Sequence, residues 1–488
     1  VNQPTSTHLH IAQTAVSPKL QRLALINVCL GQFMAALDSR SVTVALPTIS
    51  VYFNSSMALV QWIPLAYQLT VIGCVLSLAR LGDIVSRKKL YAAGFLLLTI
   101  GAALAGSSAA LWQLIAFRVL SGVGGAIVMG NGRAIVSTLY AQEGRAQALG
   151  FTSMAFHLGY IIGPSLGGFL IDAVGWRWIF FSTMPVALAA ASMAWKVLPE
   201  APRSARGYSL DFFGMLALLL SAVSLIVGLQ QIARAGITAT ALGSLSAAAV
   251  FVVVLLRLEY RNPAALLDLS LFKVRMLRAG ILSNLFIVIS HSSTFFLLPF
   301  YLQGILHFTP TEVGFTIIFF SLVIVFLAPV GGWLADRLGS RLLCTAGSVV
   351  SVASMVGLSR LGADSDSTAV IASLMLLGLG WSLFQAPNLG AIFSAVEPRH
   401  VGAVSGISLT GANIANALGV AVGSLLFLRA LNYFGLSGSA PPAYTQWGGN
   451  PEIFIRAFQI SWLIIAALTA IAILTSAMRG SDQRLTAR

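Results

Sequence analysis

Ala79-Arg80-Leu81-Gly82-Asp83-Ile84-Val85-Ser86-Arg87-Lys88-Lys89 follows one long apolar run, and Gly332-Trp333-Leu334-Ala335-Asp336-Arg337-Leu338-Gly339-Ser340-Arg341 closes another. Each is a short turn in which an Asp precedes basic residues, and Asp83 and Asp336 stand 253 residues apart. One such turn decides little, because any short cytoplasmic loop collects Arg, Lys and a capping Asp. Two at matching places indicate an internal repeat, with two like halves related by an axis along the membrane normal.

Composition agrees with a membrane setting. Of 488 residues, 57% are hydrophobic and 9% charged, with a mean hydropathy of +0.87. A soluble domain carries about 25% charged residues, so an all-α polytopic membrane protein is expected. The segment Val1 to Lys19 is polar and has neither an apolar core nor a small-residue cleavage site, so the first helix is expected to be retained. Cys29, Cys74 and Cys344 are far apart and lack CxxC spacing, which reads as small packing residues and not as a metal or disulfide framework.

Runs of about 20 apolar residues can cross a hydrocarbon core of about 30 Å. Fourteen can be marked: Leu23 to Leu46, Leu59 to Ala79, Leu90 to Ser108, Leu111 to Ala134, Ala148 to Ala173, Trp178 to Leu198, Phe212 to Ile232, Ile237 to Leu256, Leu277 to Leu302, Val313 to Leu334, Leu342 to Leu361, Ala369 to Phe393, Val401 to Leu428 and Phe454 to Met478. With the amino terminus cytoplasmic, 22 of the 29 Lys and Arg fall on the cytoplasmic side and 5 outside, while Arg40 and Arg118 stay within helices. That bias is the positive-inside pattern. A missed or invented helix would have scrambled it, and it turns the net charge of +14 into a topology signal and away from nucleic-acid binding.

The chain then divides into a cytoplasmic tail at 1–22, a six-helix bundle at 23–198, cytoplasmic linkers with two extra helices at 199–275, a second six-helix bundle at 276–478 and a cytoplasmic tail at 479–488. Of the 15 acidic residues only Asp38 lies deep in the apolar region, with Asp172 and Glu312 at its border. A charge near the bilayer centre costs about 2.5–3.5 kcal/mol by insertion scales, so it persists where it faces a protein or water interior. Arg118, seven residues into the fourth span, needs an anion or a route to the interface, and Asp38 is the membrane carboxylate available to it. Arg40 is two residues from Asp38, about 160° away on an ideal helix. It could tune the acid, meet a substrate or snorkel outward.

The repeated turn resembles the loop of the major facilitator superfamily, usually Gly-x-Leu-x-Asp-x-x-Gly-Arg-Lys-Arg, with Ala79 and Ser86 in place of its two glycines. The resemblance implies the major facilitator fold, and a cytoplasmic gate in which Gly82, Asp83, Arg87, Lys88, Asp336, Arg337 and Arg341 latch the halves. Gly159-Tyr160-Ile161-Ile162-Gly163-Pro164-Ser165-Leu166-Gly167-Gly168 sets small residues every fourth position beside a helix-bending Pro. Alone it reads as helix packing. With Pro164 after Gly163 and the closing Gly167-Gly168 it resembles the antiporter motif of drug exporters in that superfamily.

Phe117-Arg118-Val119-Leu120-Ser121-Gly122-Val123-Gly124 resembles the family's Arg-x-x-Gln-Gly-x-Gly, whose Arg takes part in proton transfer. Leu37-Asp38-Ser39-Arg40-Ser41-Val42-Thr43-Val44-Ala45-Leu46-Pro47 and Trp176-Arg177-Trp178-Ile179-Phe180-Phe181-Ser182-Thr183-Met184-Pro185 resemble two sequences of the fourteen-helix drug:proton antiporter branch, which usually has Thr where Arg40 stands. The likeness covers nearly the whole chain. It implies a proton-coupled exporter of lipophilic small molecules in a bacterial cytoplasmic membrane, working as a monomer by alternating access, with Asp38 and Arg118 at the proton-coupling site; the residues themselves add Arg40, beside Asp38, and His157, whose imidazole can carry a proton near neutral pH, as further candidates.

Aromatic and amide residues in the spans are packing by default. Phe156, Tyr160, His291, Phe295, Trp381, Phe384, Gln385, Asn388 and Asn413 are the candidates for a substrate cavity. No Gly-x-x-x-x-Gly-Lys-Ser/Thr loop occurs, so ATP drive would need another subunit, and an ion gradient with no cofactor is expected. A facilitator or proton symporter for a small metabolite is the alternative. An intramembrane enzyme is disfavoured by the lack of HExxH and GxSxG, and a sensor by the lack of a sizeable soluble domain. With Arg40 and Arg118 outnumbering Asp38 in the membrane, monocationic, neutral or anionic substrates are expected over dications.

Overall fold

The computed structural model describes residues 17–140, 142–199, 211–261, 269–397, 400–435 and 451–479; most of both tails and the linker at 200–210 lie outside these. Among the described residues, fourteen helices are long and apolar enough to cross a membrane. In order they are Pro18–Tyr52, Met57–Gly82, Arg87–Gly106, Leu111–Leu139, Gln147–Val174, Trp178–Val197, Phe212–Ala235, Ala239–Tyr260, Arg275–Gly304, Pro310–Leu338, Ser340–Leu358, Ser367–Ser394, Val404–Tyr433 and Pro451–Ala477, here spans 1 to 14. Each coincides with an apolar run of the sequence, and several run a turn or more past it because polar caps end a helix outside the hydrocarbon. Ser17 accepts from the Leu20 amide ahead of Pro18, and Thr309 and Glu312 form a capping box around Pro310.

The repeat is visible in the packing. Span 1 lies on span 5, span 4 on spans 2 and 3, and span 6 on spans 1 and 3; span 9 on 13, 12 on 10 and 11, and 14 on 9 and 11 repeat the pattern. The correspondence reaches single hydrogen bonds. Ser41 of span 1 donates to the Gly163 carbonyl of span 5 at 2.8 Å, and Ser293 of span 9 donates to the Gly419 carbonyl of span 13 at 2.7 Å. Spans 7 and 8 pack on each other, and span 7 also touches span 2 of one half and span 13 of the other.

The two ends of the bundle differ. At the end poor in Lys and Arg, one continuous apolar core joins the halves, taking in Val42 and Leu46 of span 1, Phe296 and Leu297 of span 9, Val313 of span 10 and Val420 of span 13. Polar contacts bind the same end. Gln303 donates to the Val44 carbonyl at 3.0 Å, Ser165 to the Gly314 carbonyl at 3.1 Å, and the Thr311 amide to Asp172 at 2.8 Å. At the Arg-rich end the core is split, with one cluster around Val28, Tyr91 and Phe95 in the first half and another around Leu277, Ile392 and Val404 in the second. Contact across the halves is thin there, Leu76 of span 2 lying near Leu409 and Gly406 of span 13. The conformation is thus sealed at the Arg-poor end.

Loosening that seal should be measurable. Asp172→Ala removes one acceptor, worth about 0.5–1.5 kcal/mol, from the sealed state while its rival state has water in the same place. A cysteine at Thr43, in a protein freed of its three native cysteines, is expected to react about three- to tenfold faster with an impermeant maleimide applied at the Arg-poor face. Equal rates in the presence and absence of Asp172 would refute the seal.

Candidate functional site

The first half brings Asp38 and Arg118 together. Asp38 faces span 4, which turns Arg118 inward about a quarter of the way along its length, and Arg118 Nη1 lies 2.9 Å from Oδ1 and 2.8 Å from Oδ2. Arg118 is 1% exposed and Asp38 8%. The guanidinium also lies over the Tyr67 ring of span 2, 4.5 Å from its centroid, which adds cation–π attraction inside the bundle. An ion pair this buried is not a stability device, since desolvation offsets much of its Coulomb gain.

A cavity sits between the halves beside this pair. Spans 1, 2, 4, 5, 9 and 13 line it, through residues that include Ser39, Arg40, Thr43, Tyr67, Gln68, Phe156, Tyr160, Asn413 and Asn416. Tyr67 belongs to both features, lining the cavity and carrying Arg118 on its ring. Arg40 points away from Asp38 and into the cavity, its guanidinium carbon 3.6 Å from the Tyr160 ring centroid and 5.4 Å from that of Phe295. The opposite directions of residues 38 and 40 follow from helical geometry, and they separate the ion pair from the cavity's charge.

The glycine motif explains how span 1 is held. A Cβ on Gly159 would strike the carbonyl of Phe33, one on Gly163 would come within 2.9 Å of Arg40 Cβ, and one on Gly167 within 2.9 Å of Ser41 Cα. Span 5 therefore lies against the segment that carries Asp38 and Arg40 with no side chain between the backbones. Gly168 faces the other way, against the backbone of Pro310 in span 10, and Gly314 of span 10 meets Pro164 and Ser165. One motif thus seats the ion-pair helix on one face and the seal between halves on the other.

Other candidates fall elsewhere. His157 is exposed, with Nδ1 2.7 Å from the Ser153 carbonyl, and makes no contact with the Asp38–Arg118 pair. His291 is buried, its Nδ1 2.8 Å from the Ile287 carbonyl and its ring 4.8 Å from that of Trp381, and neither lines the cavity. Phe384 is fully buried near Cys344 and Ile287, and Gln385 is half-buried outside the cavity wall. Asn388 accepts a short hydrogen bond from Arg479 Nη2, and Arg479 Nη1 reaches Cys344 Sγ at 2.9 Å. Arg479, expected in a cytoplasmic tail, is 1% exposed, because these partners draw the end of span 14 into the bundle.

At the repeated turns, Gly82 leaves room for Asn131 of span 4, which donates to the Leu78 carbonyl at 3.1 Å, and Arg87 donates to the Ala134 carbonyl at 3.3 Å. Lys88 lies over Trp195 of span 6 and Arg337 over Trp333, while Arg341 is exposed. These described contacts stay within their own halves. Asp336 makes contacts of its own, and the side chain of Asp83 lies outside the described residues.

Sequence reasoning missed Tyr67, Gln68 and Gln303. A usable signal existed: Tyr67 and Gln68 put two polar tips side by side in an apolar span, and Gln303 is a lone amide near the end of span 9.

A profile described as Major Facilitator Superfamily matches residues 28–420 and 280–479. The chain belongs to this superfamily. It is 33% identical over 415 residues to the riboflavin transporter RibZ of Clostridioides difficile, covering 85% of this chain and 90% of that one. It is 28% identical to the tetracenomycin C resistance and export protein of Streptomyces glaucescens, over 84% of this chain and 77% of the relative. To the multidrug transporter MdtP of Bacillus subtilis it is 25% identical, over 80% and 74%. Among solved structures, a bacterial homologue of the human lysosomal transporter Spinster, inward-facing and unoccupied, superposes with a TM-score of 0.70 at 17% identity, over 95% of this chain and 98% of that one. The protein is a multi-pass transporter of the major facilitator type and not an enzyme, with drug-resistance transporters among its relatives.

Proposed function

We propose that this transporter exports lipophilic small molecules in exchange for protons, by alternating access of the two six-helix halves. The observation that carries the reading is the Asp38–Arg118 pair, buried directly behind the wall of the central cavity and joined to it by Tyr67. Protonation of Asp38 would release Arg118 from its anion and change what span 1 presents to the cavity. Substrate and proton would then stabilise alternate states of one helix. The glycine motif that seats span 1 on span 5 supports the same reading, because it carries any shift of span 1 to the span 5–span 10 seal. The proton gradient is the energy source, with no cofactor, and the chain acts as a monomer in a bacterial cytoplasmic membrane with both termini in the cytoplasm.

The test is accumulation of a lipophilic dye by inside-out membrane vesicles on imposition of an acid interior. Gradient-dependent accumulation that collapses with nigericin is expected, and dye fluxes that ignore the gradient would sink the antiport reading. The 33% identity to a riboflavin transporter favours a second reading, transport of a planar metabolite. It predicts that riboflavin competes with the dye in the same vesicles.

A further inference from the structure

We infer that the cavity selects planar aromatic anions, and that Arg40 is the residue that anchors their acidic group. The inference rests on the cavity being the transport site, and names its preferred substrate class.

Arg40 is a half-buried cation without an anion. The carboxylate nearest to it in sequence is committed to Arg118 on the other face of span 1. Among the described residues no group accepts a hydrogen bond from Arg40, its Nε is enclosed without a partner, and no carboxylate pairs with it. A guanidinium withdrawn from bulk water in this way gains most from an arriving negative charge, because its desolvation has already been incurred by the fold.

Geometry narrows the ligand further. Tyr160 lies against the guanidinium with the carbon 3.6 Å from the ring centroid, so one face is covered and the N–H groups point outward from its edge. That edge matches a carboxylate, sulfonate or acidic imide through two parallel hydrogen bonds. The rest of the wall suits a flat body, with the Phe156 and Tyr160 rings 6.3 Å apart and tilted by 36°, and the amides of Gln68 and Asn413 each holding an enclosed atom without a partner. Arg40 and Tyr160 belong to the first half, Phe295 and Asn413 to the second. An anion on Arg40 therefore touches both halves at once, which is what a transported substrate must do to bias their closure.

Three molecules of one shape test this on the full-length protein in nanodiscs: anthracene-2-carboxylate, anthracene-2-carboxamide and 2-(aminomethyl)anthracene, with binding followed by anthracene fluorescence. The carboxylate is expected to bind about tenfold or more tighter than the carboxamide, with the cation weakest. In Arg40→Gln the carboxylate's advantage should fall to about twofold or less, and Arg40→Lys should keep part of it, a point charge without the fork. Equal binding of carboxylate and carboxamide by the unmodified protein overturns the inference, and this arm needs no variant to fold. So does an advantage that survives in Arg40→Gln. The two readings fail separately. Carboxylate preference without gradient-driven transport supports the anion site and removes proton exchange, whereas gradient-driven transport without charge preference removes the anion site alone.

Discussion

Asp38→Asn is expected to reduce gradient-driven transport to the level of empty vesicles and to lower the stability of the protein by about 3–5 kcal/mol. Both effects have one origin. Arg118 is 1% exposed and Nη1 spends its hydrogen bonding on the two oxygens of Asp38, so removing the negative charge leaves a cation inside the bundle with an amide and an aromatic ring for company. Arg118→Gln mirrors the loss by stranding Asp38. The double variant Asp38→Asn with Arg118→Gln then separates structure from function, because a neutral pair of similar shape needs no compensation and replacing both ions of a buried pair is often harmless to stability. Thermal unfolding in detergent should place the double variant well above either single one, while its gradient-driven transport stays at background. Transport by the double variant that still follows the imposed gradient would show that the proton travels by another route.

Gly159→Ala is the second large effect, expected to cost about 1–3 kcal/mol of stability and most of the transport activity. The added methyl would strike the Phe33 carbonyl, and backbone cannot swing aside as a side chain does. Spans 1 and 5 would have to separate along the stretch that orients Asp38 toward Arg118 and Arg40 toward Tyr160. Gly150, on the same span, is the internal control, since nothing lies within 4 Å of the position a Cβ would take. There alanine is expected to stabilise the helix by up to about 1 kcal/mol, the ordinary gain over glycine. Opposite signs at two glycines nine residues apart, read by unfolding temperature and vesicle transport, check the stripe as a contact surface. A loss at Gly150 equal to that at Gly159 would reduce both to helix propensity.

What could be read in advance follows physical scale. The fourteen spans and the repeat were legible because hydrocarbon thickness and loop charge act on whole segments, and the Asp83 and Asp336 turns marked the register of the two halves. The Asp38–Arg118 contact was legible for an energetic reason: two opposite charges at a depth where neither is tolerated alone have few other places to go. The cavity wall was not. Phe384 and Asn388 carry the same kinds of side chain as Phe156 and Asn413, yet the first pair faces Cys344 and Arg479 and the second faces open space. Which side of a helix looks inward depends on packing against neighbours on all sides, and in membranes both sides are apolar, so periodicity gives little help. Arg479 shows the same limit at a helix end. A basic residue beside a charged tail reads as solvent-facing until Asn388 and Cys344 are seen to receive it.

Span 7 has a mechanical consequence. It rests on span 2 of one half and span 13 of the other, with Leu219 filling the space left by Gly73. The slit between spans 2 and 13 therefore has a gasket along its flank, whereas spans 5 and 10 close on each other directly at the Arg-poor end, where Gly314 meets Pro164 and Ser165. Acyl chains are kept from infiltrating on the gasketed side even when the halves tilt, provided span 7 slides with the seam. Cargo dissolved in the bilayer meets a wall of helix on that side. The two extra helices thus close one of the two lateral seams between the halves.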